Sequence, residues 1–126
     1  MLLRVRDGEL EPGAQWVYAW LAHDGVVYVG ATALHPETRT WLHLHHDDPR
    51  IGRMRASFEG LAAEELDVVA FELPADVDRQ HVRHGAVTEL AARGLLSERE
   101  VCDPPLEVAS SPETERFLAA IEQRLD

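Results

Sequence analysis

The sequence predicts a small α+β domain, in which a three-stranded antiparallel sheet is flanked by helices and an extra helix ends the chain. Two β-rich runs stand close together within residues 15–31, and a third occupies residues 66–73. Two short helical patterns separate the second run from the third, and two longer ones follow, within residues 76–93 and 112–125. This order, β, β, α, α, β, α and α, is typical of an α+β domain with a mainly antiparallel sheet.

The first two strands form a hairpin whose pairing is predicted from its two faces. The runs QWVYAWLA (15–22) and VVYVGA (26–31) flank His23, Asp24 and Gly25. A two-residue turn at Asp24 and Gly25 mixes aliphatic and aromatic side chains on both faces. A three-residue loop with Gly25 in the left-handed position separates them, so we predict that loop. One face then carries Val17, Ala19, Leu21, Val27, Val29 and Ala31, and the other carries Tyr18, Trp20, Tyr28 and Gly30.

The first helical pattern begins near Pro36, which suits a first helical turn, and continues to about residue 46. One stripe of this helix holds Arg39, His43 and His46, which face either solvent or a site. The apolar arc of the same helix comprises Leu34, Trp41, Leu42 and Leu44.

The next two helices have recognisable starts. Asp48 and Pro49 have the residue types of an N-cap and a first helical position, and the second helix is expected to reach about Glu59. Its inward side chains are predicted to be Ile51, Met54, Phe58 and Leu61. Asp76 or Asp78 caps a longer third helix that ends at a glycine.

The C-terminal part is expected to be a loop followed by a helix. Residues 97–111 contain two successive prolines and read as irregular. Ser110 and Glu113 have the spacing of a capping box, in which each side chain binds a free backbone N–H. The helix that follows is amphipathic, with Phe117, Leu118, Ile121 and Leu125 on its apolar side.

Charge limits the classes of function. Twelve basic residues, all of them Arg, stand against 23 acidic ones, and the net charge of −11 excludes a plain polyanion-binding module. Residues 1–60 carry six Arg and eight acids, whereas residues 61–126 carry six Arg and fifteen acids. Any phosphate-facing surface is therefore expected in the first half of the chain.

Cysteine content and hydropathy indicate the compartment. The single cysteine, Cys102, excludes an intrachain disulfide framework and a four-cysteine zinc site, which fits a reducing environment. Charged residues interrupt the first ten positions, so no signal peptide is expected, and no apolar run approaches the ~18 residues of a membrane span. We expect a cytoplasmic protein that does not enter a membrane.

A pattern of tyrosine, glycine, arginine and histidine runs through the hairpin and the first helix. The first strand contains VYA with Tyr18, the second contains VYVG with Tyr28 and Gly30, and the helix carries Arg39 and His43. This pattern resembles the GIY-YIG nuclease family, which has a tyrosine in its first strand, Tyr-x-Gly in its second and an Arg-x-x-x-His pair on the next helix.

The resemblance covers about residues 15–95 of a single expected domain, 1–126, and residues 96–126 form its C-terminal loop and helix. It implies a three-stranded antiparallel sheet flanked by helices, which is the fold the pattern predicts independently. It also implies hydrolysis of DNA phosphodiesters with one divalent metal, Mg²⁺ or Mn²⁺.

The resemblance assigns roles to the matching residues. In-line attack on a phosphate needs an activated water, a cation facing the phosphate and stabilisation of the leaving oxygen. Arg39 is expected to bind the phosphate through its fork of N–H groups, and Tyr18 or Tyr28 to pass a proton or orient water. His43 supports a tyrosine or contacts the phosphate. Gly30 allows the substrate to approach the backbone.

The metal ligand departs from the family pattern. The family places a metal-binding Glu on the helix after the third strand, but the corresponding residues 80–84 read QHVRH and contain no carboxylate. Glu89 is the nearest acid on that helix and is the expected ligand, with His81 and His84 as alternatives.

Three functions remain open at the level of sequence. The first is a GIY-YIG-like, metal-dependent endonuclease acting on DNA, with Arg50, Arg53 and Arg55 extending the phosphate-binding patch. The second is a catalytically degenerate module of the same fold that binds nucleic acid or a protein partner, and the third is a small protein that shares only the hairpin. Because the net charge opposes non-specific DNA binding, a structured substrate or a partner is expected.

Overall fold

The computed structural model describes residues 5–6, 9–10, 15–57 and 65–125. Its α+β architecture, an open three-stranded antiparallel sheet with several helices, confirms the predicted fold class. In chain order the elements are β1 (Val5–Arg6), β2 (Glu9–Leu10), β3 (Gln15–Ala22), β4 (Gly25–Thr32), α1 (Pro36–His45), α2 (Arg53–Ser57), β5 (Asp67–Leu73), α3 (Arg79–Ala92) and α4 (Pro112–Leu125). The short β1–β2 pair forms a separate two-stranded sheet that was not predicted.

Strand β3 is the centre of the main sheet, whose order is β4-β3-β5. It pairs antiparallel with β4 through Trp16–Ala22 and with β5 through Gln15–Leu21. A central strand is buried on both faces, and all of β3 except Trp16 is buried. The predicted hairpin and the predicted third strand are both confirmed.

The predicted hairpin register is confirmed for five pairs and wrong for the last two. Residues 16–20 pair with residues 28–32 as expected, and Tyr18 lies opposite Gly30. The register then shifts, so that Leu21 faces Val26 and the turn contains only His23 and Asp24. The extra residue is absorbed by a bulge in β4 rather than by a longer loop.

This bulge reverses the face of Val27, which packs with the aromatic residues instead of the aliphatic ones. A segment near residue 96 provides the physical reason. The Val26 N–H donates to the Leu95 carbonyl at 2.9 Å, and the Ser97 hydroxyl donates to both Asp24 carboxylate oxygens at 2.9 Å. The segment near residue 96 therefore determines the geometry of the turn. No local sequence pattern at the turn predicts this contact.

The two faces of the sheet have different partners. The aliphatic face of β3 and β4 packs against α3 and α4, whose Leu90, Phe117 and Ile121 are fully buried. The aromatic face holds the side chains of Tyr18, Trp20, Val27 and Tyr28, and α2 covers it with the fully buried Met54.

Helix α1 buries a different side from the one that hydropathy indicates. His43, on the Arg39 stripe, is fully buried, whereas Trp41 and Leu34 of the apolar arc are 58% and 47% exposed. Leu42 and Leu44 are half-buried. The stripe of Arg39, His43 and His46, for which the sequence allowed either solvent or a site, therefore faces the protein. His43 packs among the aromatic side chains of the sheet.

Helix α2 begins at Arg53, four residues after the predicted start at Pro49. Residues 48–52 form a turn instead, in which the Asp48 carbonyl accepts hydrogen bonds from the N–H groups of Ile51 and Gly52. Met54 is buried as predicted. The predicted inward residues Phe58 and Leu61 lie outside the described residues.

The N-terminal caps of α3 and α4 lie at the predicted residue or next to it. Asp78 caps α3 by accepting from the N–H groups of Gln80 and His81, which decides between the two candidate caps. Helix α4 is capped by Ser111 rather than Ser110, because Ser111 Oγ accepts from the Thr114 N–H at 3.2 Å. Its buried residues include Phe117, Leu118 and Ile121, as predicted. In the described ranges no helix is long and apolar enough to cross a membrane.

Candidate functional site

Tyr18 and His43 form a buried hydrogen-bonded pair between the sheet and α1. The Tyr18 hydroxyl lies 2.6 Å from His43 Nε2, and the two side chains are 3% and 0% exposed. The imidazole is also surrounded by the rings of Tyr18, Trp20 and Tyr28, with centroids 5.3–5.7 Å away. The structure thus brings together three of the residues predicted from the family pattern, Tyr18, Tyr28 and His43.

Gly30 makes room for this pair. It lies opposite Tyr18 in the hairpin, and a Cβ atom at Gly30 would overlap the Tyr18 hydroxyl and ring. The space that a side chain would fill is therefore occupied by Tyr18. In this arrangement Gly30 positions the tyrosine, whereas the sequence suggested that it admits substrate to the backbone.

Both members of the pair are neutral at neutral pH. Burial raises the pKa of Tyr18, and the nearby Tyr28 raises it further, although Arg39 acts in the opposite direction. Burial, together with the positive charges of Arg39 and Arg53, lowers the pKa of His43 to about 3. The hydrogen bond between them therefore joins two uncharged groups.

Arg39 links α1 to the turn before α2. Its Nη1 donates to the Ile51 carbonyl at 2.8 Å, the residue is half-buried, and its positive charge acts on Tyr18 and His43. A guanidinium has five N–H donors in a planar fork, so one bond to Ile51 leaves others for a ligand. Arg39 is thus both a structural tie and a candidate ligand-binding group.

Arg53 and Asp103 lie at the outer side of Tyr28. The Arg53 guanidinium carbon is 5.4 Å from the centre of the Tyr28 ring, and its Nη2 is 2.5 Å from Asp103 Oδ1. The two side chains are 29% and 42% exposed, whereas Tyr28 is 7% exposed. This ion pair is therefore the solvent-facing part of the cluster.

Asp103 reaches Arg53 because the segment after α3 runs along the outer edge of β4. The Val26 and Val27 carbonyls accept hydrogen bonds from the N–H groups of Ser97 and Val101 at 2.8 and 2.7 Å. Asp103 follows two residues later. The sequence contained no signal for this contact, because residues 97–111 read only as an irregular loop.

A third arginine, Arg83 of α3, acts electrostatically on Tyr28. Burial raises the pKa of the Tyr28 hydroxyl, Arg53, Arg39 and Arg83 lower it, and Asp103 raises it. Arg83 Nε donates to Gln80, while its Nη1 is buried without a hydrogen-bond partner. The contacts at Tyr28 itself are those of Arg53, whose guanidinium lies over the ring, and of the Asp103 carboxylate that Arg53 binds.

Two of the other predicted substrate contacts lie outside this cluster. Arg50 has a 93% exposed side chain, 3.8 Å from Asp48. Arg55 is exposed and binds Asp47 at 2.7 Å and the His45 carbonyl at 2.9 Å. Both guanidinium groups have acidic partners on the surface of the α1–α2 connection.

The three candidate metal ligands have other partners. Glu89 is 3.3 Å from Arg93, which also pairs with acidic residues of α4. His81 Nε2 donates to the Ala109 carbonyl, and His84 Nδ1 accepts from the Leu106 N–H at 3.0 Å. Both histidines hold the loop after α3.

The groups near Tyr28 do not fit a divalent metal. Within residues 15–57 and 65–125, no three His, Cys, Asp or Glu side chains come together in a group suited to a metal ion. Mg²⁺ prefers several oxygen ligands, whereas the charged groups at the Tyr28 ring are the Arg53 guanidinium and the Asp103 carboxylate that Arg53 already binds. This donor set suits an anion.

Comparisons of the chain with protein-family models, curated proteins and solved structures found no match. The resemblance to GIY-YIG nucleases therefore rests on the pattern of Tyr18, Tyr28, Gly30, Arg39 and His43.

Proposed function

We propose that this chain is a catalytically degenerate GIY-YIG-like module that binds a nucleic-acid phosphate without cleaving it. The observation that carries this proposal is the presence of two arginines at the tyrosine cluster: Arg53 lies over the Tyr28 ring, and Arg39, one helical turn before His43, binds the Ile51 carbonyl. Guanidinium groups bind phosphate oxygens through paired N–H donors, and they remain charged at any physiological pH.

The neutral core of the cluster supports binding by the arginines alone. Tyr18 and Tyr28 have raised pKa values and His43 has a lowered one, so these three groups add no charge at neutral pH. They provide a buried surface, which excludes water, beside the guanidinium groups. A hydrogen bond to phosphate is stronger next to such a surface of low dielectric than in bulk water.

The same features argue against hydrolysis. Attack on a phosphodiester needs a group that accepts a proton from water near neutral pH. The tyrosines hold their protons, and His43 is fully buried with its Nε2 directed at Tyr18. The nearby carboxylate of Asp103 is paired with Arg53. We therefore propose binding as the activity and assign no step to a metal.

Fluorescence anisotropy with labelled DNA, in the presence of chelator, tests this proposal. We expect wild-type protein to bind and Arg39→Gln to lose at least about tenfold in affinity, since one charge-assisted hydrogen bond to phosphate is removed. Glutamine is chosen because it removes the positive charge and keeps a polar side chain. The matched control is Arg116→Gln, an equal charge change at an exposed position of α4, on the opposite side of the sheet.

The result that contradicts binding without cleavage is metal-dependent cutting. If plasmid or branched DNA is cleaved with Mg²⁺ or Mn²⁺, not with chelator, and Arg39→Gln abolishes cleavage, the chain is an endonuclease. If folded protein neither binds nor cleaves DNA, the nucleic-acid proposal is wrong and a protein partner becomes the alternative.

A further inference from the structure

We infer that the outer edge of β5, together with the groove between β5 and α1, binds an extended peptide segment of a partner protein that is apolar and basic on one side. This surface is separate from the arginine site, because Trp41 in the groove and Arg39 lie on opposite sides of α1. The groove has a volume of about 430 Å³. Its lining includes Trp41 and Leu44 of α1 and Val68 and Ala70 of β5.

Strand β5 is at the edge of the main sheet. Among the described residues it pairs with β3 on one side and with no strand on the other. The backbone N–H and C=O groups on the outer side of an edge strand are available to a further strand. An added strand binds through these groups, whereas a helix cannot pair with a row of them. The backbone of β5 therefore favours an extended occupant.

The groove forms because the helices that cover the aromatic face do not extend over β5. Ala70 lies opposite Tyr18 in the register, and paired residues of neighbouring strands share a face. Tyr18 is buried, whereas Ala70 is exposed and Trp41, across the groove, is 58% exposed. Exposed aromatic side chains in a groove are typical anchors for a binding partner. We therefore place an apolar side chain of the occupant against Trp41 and Val68.

Two acidic residues favour a basic occupant. Glu37 lines the groove, and Glu72 is exposed two residues beyond Ala70 on the same face of β5. In the part of the chain that the structure describes, neither carboxylate has an ion-pair partner, whereas Asp67 at the other end of β5 binds Arg124. None of the described residues that line the groove is basic. A cation of the occupant therefore complements the groove.

The order of the groove residues predicts the pattern of the occupant. Leu44, near the end of α1, and Val68, near the start of β5, pack against the same aromatic cluster. His35, which caps α1, contacts the ring of Trp16, the partner of Glu72 in the sheet. The groove is therefore apolar at one end and acidic at the other. Because side chains on one face of a strand recur every second residue, about 7 Å apart, the occupant carries a basic residue two to four positions from its apolar ones.

Charge also argues against a second copy of this chain as the occupant. Each copy carries a net charge of −11, and β5 itself contains no basic residue. Pairing of two β5 edges would therefore leave Glu37 and Glu72 without a cation while bringing two acidic proteins together. A basic segment of another protein lacks this repulsion.

The experiment measures the binding of a dye-labelled eight-residue peptide to the full chain by fluorescence anisotropy. The peptide has Lys in its first and seventh positions, Val in its third and fifth, and Thr elsewhere, so that Lys and Val share one face. A control peptide of the same composition has Val in its second and fourth positions, on the face opposite to Lys. We expect the first peptide to bind at least about tenfold tighter than the control. Equal binding would show only general attraction to an acidic protein and would overturn the inference, as would no binding at about 1 mM peptide.

Variants at exposed positions test the groove, and each should keep a native circular dichroism spectrum. Trp41→Ala should weaken binding of the first peptide at least about tenfold, because it removes the aromatic anchor. Leu106→Ala, the matched control, removes another exposed apolar side chain from the loop after α3 and should change the affinity by less than about twofold. Glu37→Gln combined with Glu72→Gln should weaken binding by about threefold or more. Wild-type affinity in Trp41→Ala would overturn the groove as the site.

Backbone methylation tests strand pairing. Only alternate residues of an antiparallel strand direct their N–H groups to a given neighbour. Of two peptides, one N-methylated at every Thr and the other at every Lys and Val, one should lose binding and the other should retain it. The same outcome for both would overturn the addition of a strand to β5.

Sedimentation of the chain alone identifies the other possible occupant. We expect a monomer. A dimer that Trp41→Ala dissociates would identify a second copy in the groove and overturn a basic partner. These results do not depend on the phosphate site, since the Arg39→Gln variant should bind the first peptide as wild type does.

Discussion

The two faces of the sheet are built from the same pair of strands and differ in what they bury. The face toward α3 and α4 is aliphatic, with fully buried Val17, Val29 and Phe117. The face toward α1 and α2 buries Tyr18, Trp20 and Tyr28 together with the imidazole of His43. Within the described residues, Trp20 Nε1 and His43 Nδ1 on this second face have no hydrogen-bond partner.

This difference indicates which face stabilises the fold and which one is available for function. Fully burying an aliphatic or aromatic side chain stabilises a protein by about 1.5–3 kcal/mol. Each polar group left unpaired on burial costs about 1–3 kcal/mol. The aromatic face therefore loses part of its hydrophobic gain to polar groups, as a binding site does.

The largest expected effect is that of a charge placed on the aliphatic face. Val29→Asp buries a carboxylate at a fully buried position, and the cost, at least about 5 kcal/mol, is comparable to the whole stability of a small domain. We expect no cooperative thermal transition by circular dichroism. Ala70→Asp, an equal charge change at an exposed position of β5, should melt nearly as wild type. A folded Val29→Asp protein would contradict the assignment of the two faces.

The second effect is a dependence of stability on pH that originates in the aromatic face. The pKa of His43 is about 3 in the folded protein, whereas a freely solvated histidine side chain has a pKa of 6.5. The unfolded chain therefore binds a proton that the folded protein excludes, so stability is complete above pH 6.5 and falls as pH decreases toward 3. Between about pH 7 and pH 5 we expect a loss of about 2 kcal/mol in the free energy of unfolding.

Urea denaturation at these two pH values measures that loss, and His43→Phe should remove most of it. His84, whose pKa is also lowered by burial, contributes in the same direction, and His84→Gln should have the smaller effect. The lowered pKa of Asp24 acts at lower pH, because a free aspartate titrates near 3.8. If His43→Phe keeps the wild-type pH dependence, His43 is not buried as a neutral group.

The smallest effect is the coupling between Tyr18 and His43. Tyr18→Phe leaves the buried Nε2 of His43 without its partner, and His43→Phe leaves the Tyr18 hydroxyl without its acceptor or donor, so each should cost about 1–3 kcal/mol. The double variant removes both polar groups and should be at least about 1 kcal/mol more stable than the sum of the single effects predicts. Urea denaturation of the four proteins measures this coupling. Strict additivity would show that the two groups do not interact.

Local sequence patterns predicted the elements whose causes are themselves local. Alternation along the strands placed Tyr18, Trp20 and Tyr28 on one face, and Asp78 had the residue type and position of a helix cap. The amphipathic pattern of α4 predicted the buried Phe117, Leu118 and Ile121 correctly, whereas Leu125 is half-buried. These features depend on neighbours within a few positions, so the pattern contains the information.

The errors occurred where a distant segment changes the local outcome. The bulge at Val27 depends on residues near 96, and the buried side of α1 was misjudged because a polar residue, His43, packs among the aromatics while Trp41 remains exposed. In the candidate site, the resemblance to the GIY-YIG pattern singled out Tyr18, Tyr28 and His43, whose rings the structure brings together. The resemblance gave no indication of Asp103.

The sequence by itself determined the order of the three main-sheet strands and the four helices, the pairing of Tyr18 with Gly30 and the aromatic character of one sheet face, because strand alternation and helix capping act over short distances. Only the tertiary structure decided what surrounds Tyr28. Arg53 and Asp103 are 50 positions apart in the sequence, and the route of the chain along the edge of β4 brings Asp103 to Arg53. Charged residues that come together only in the folded chain leave no periodic pattern in the sequence. The charge around Tyr28 therefore depended on the fold.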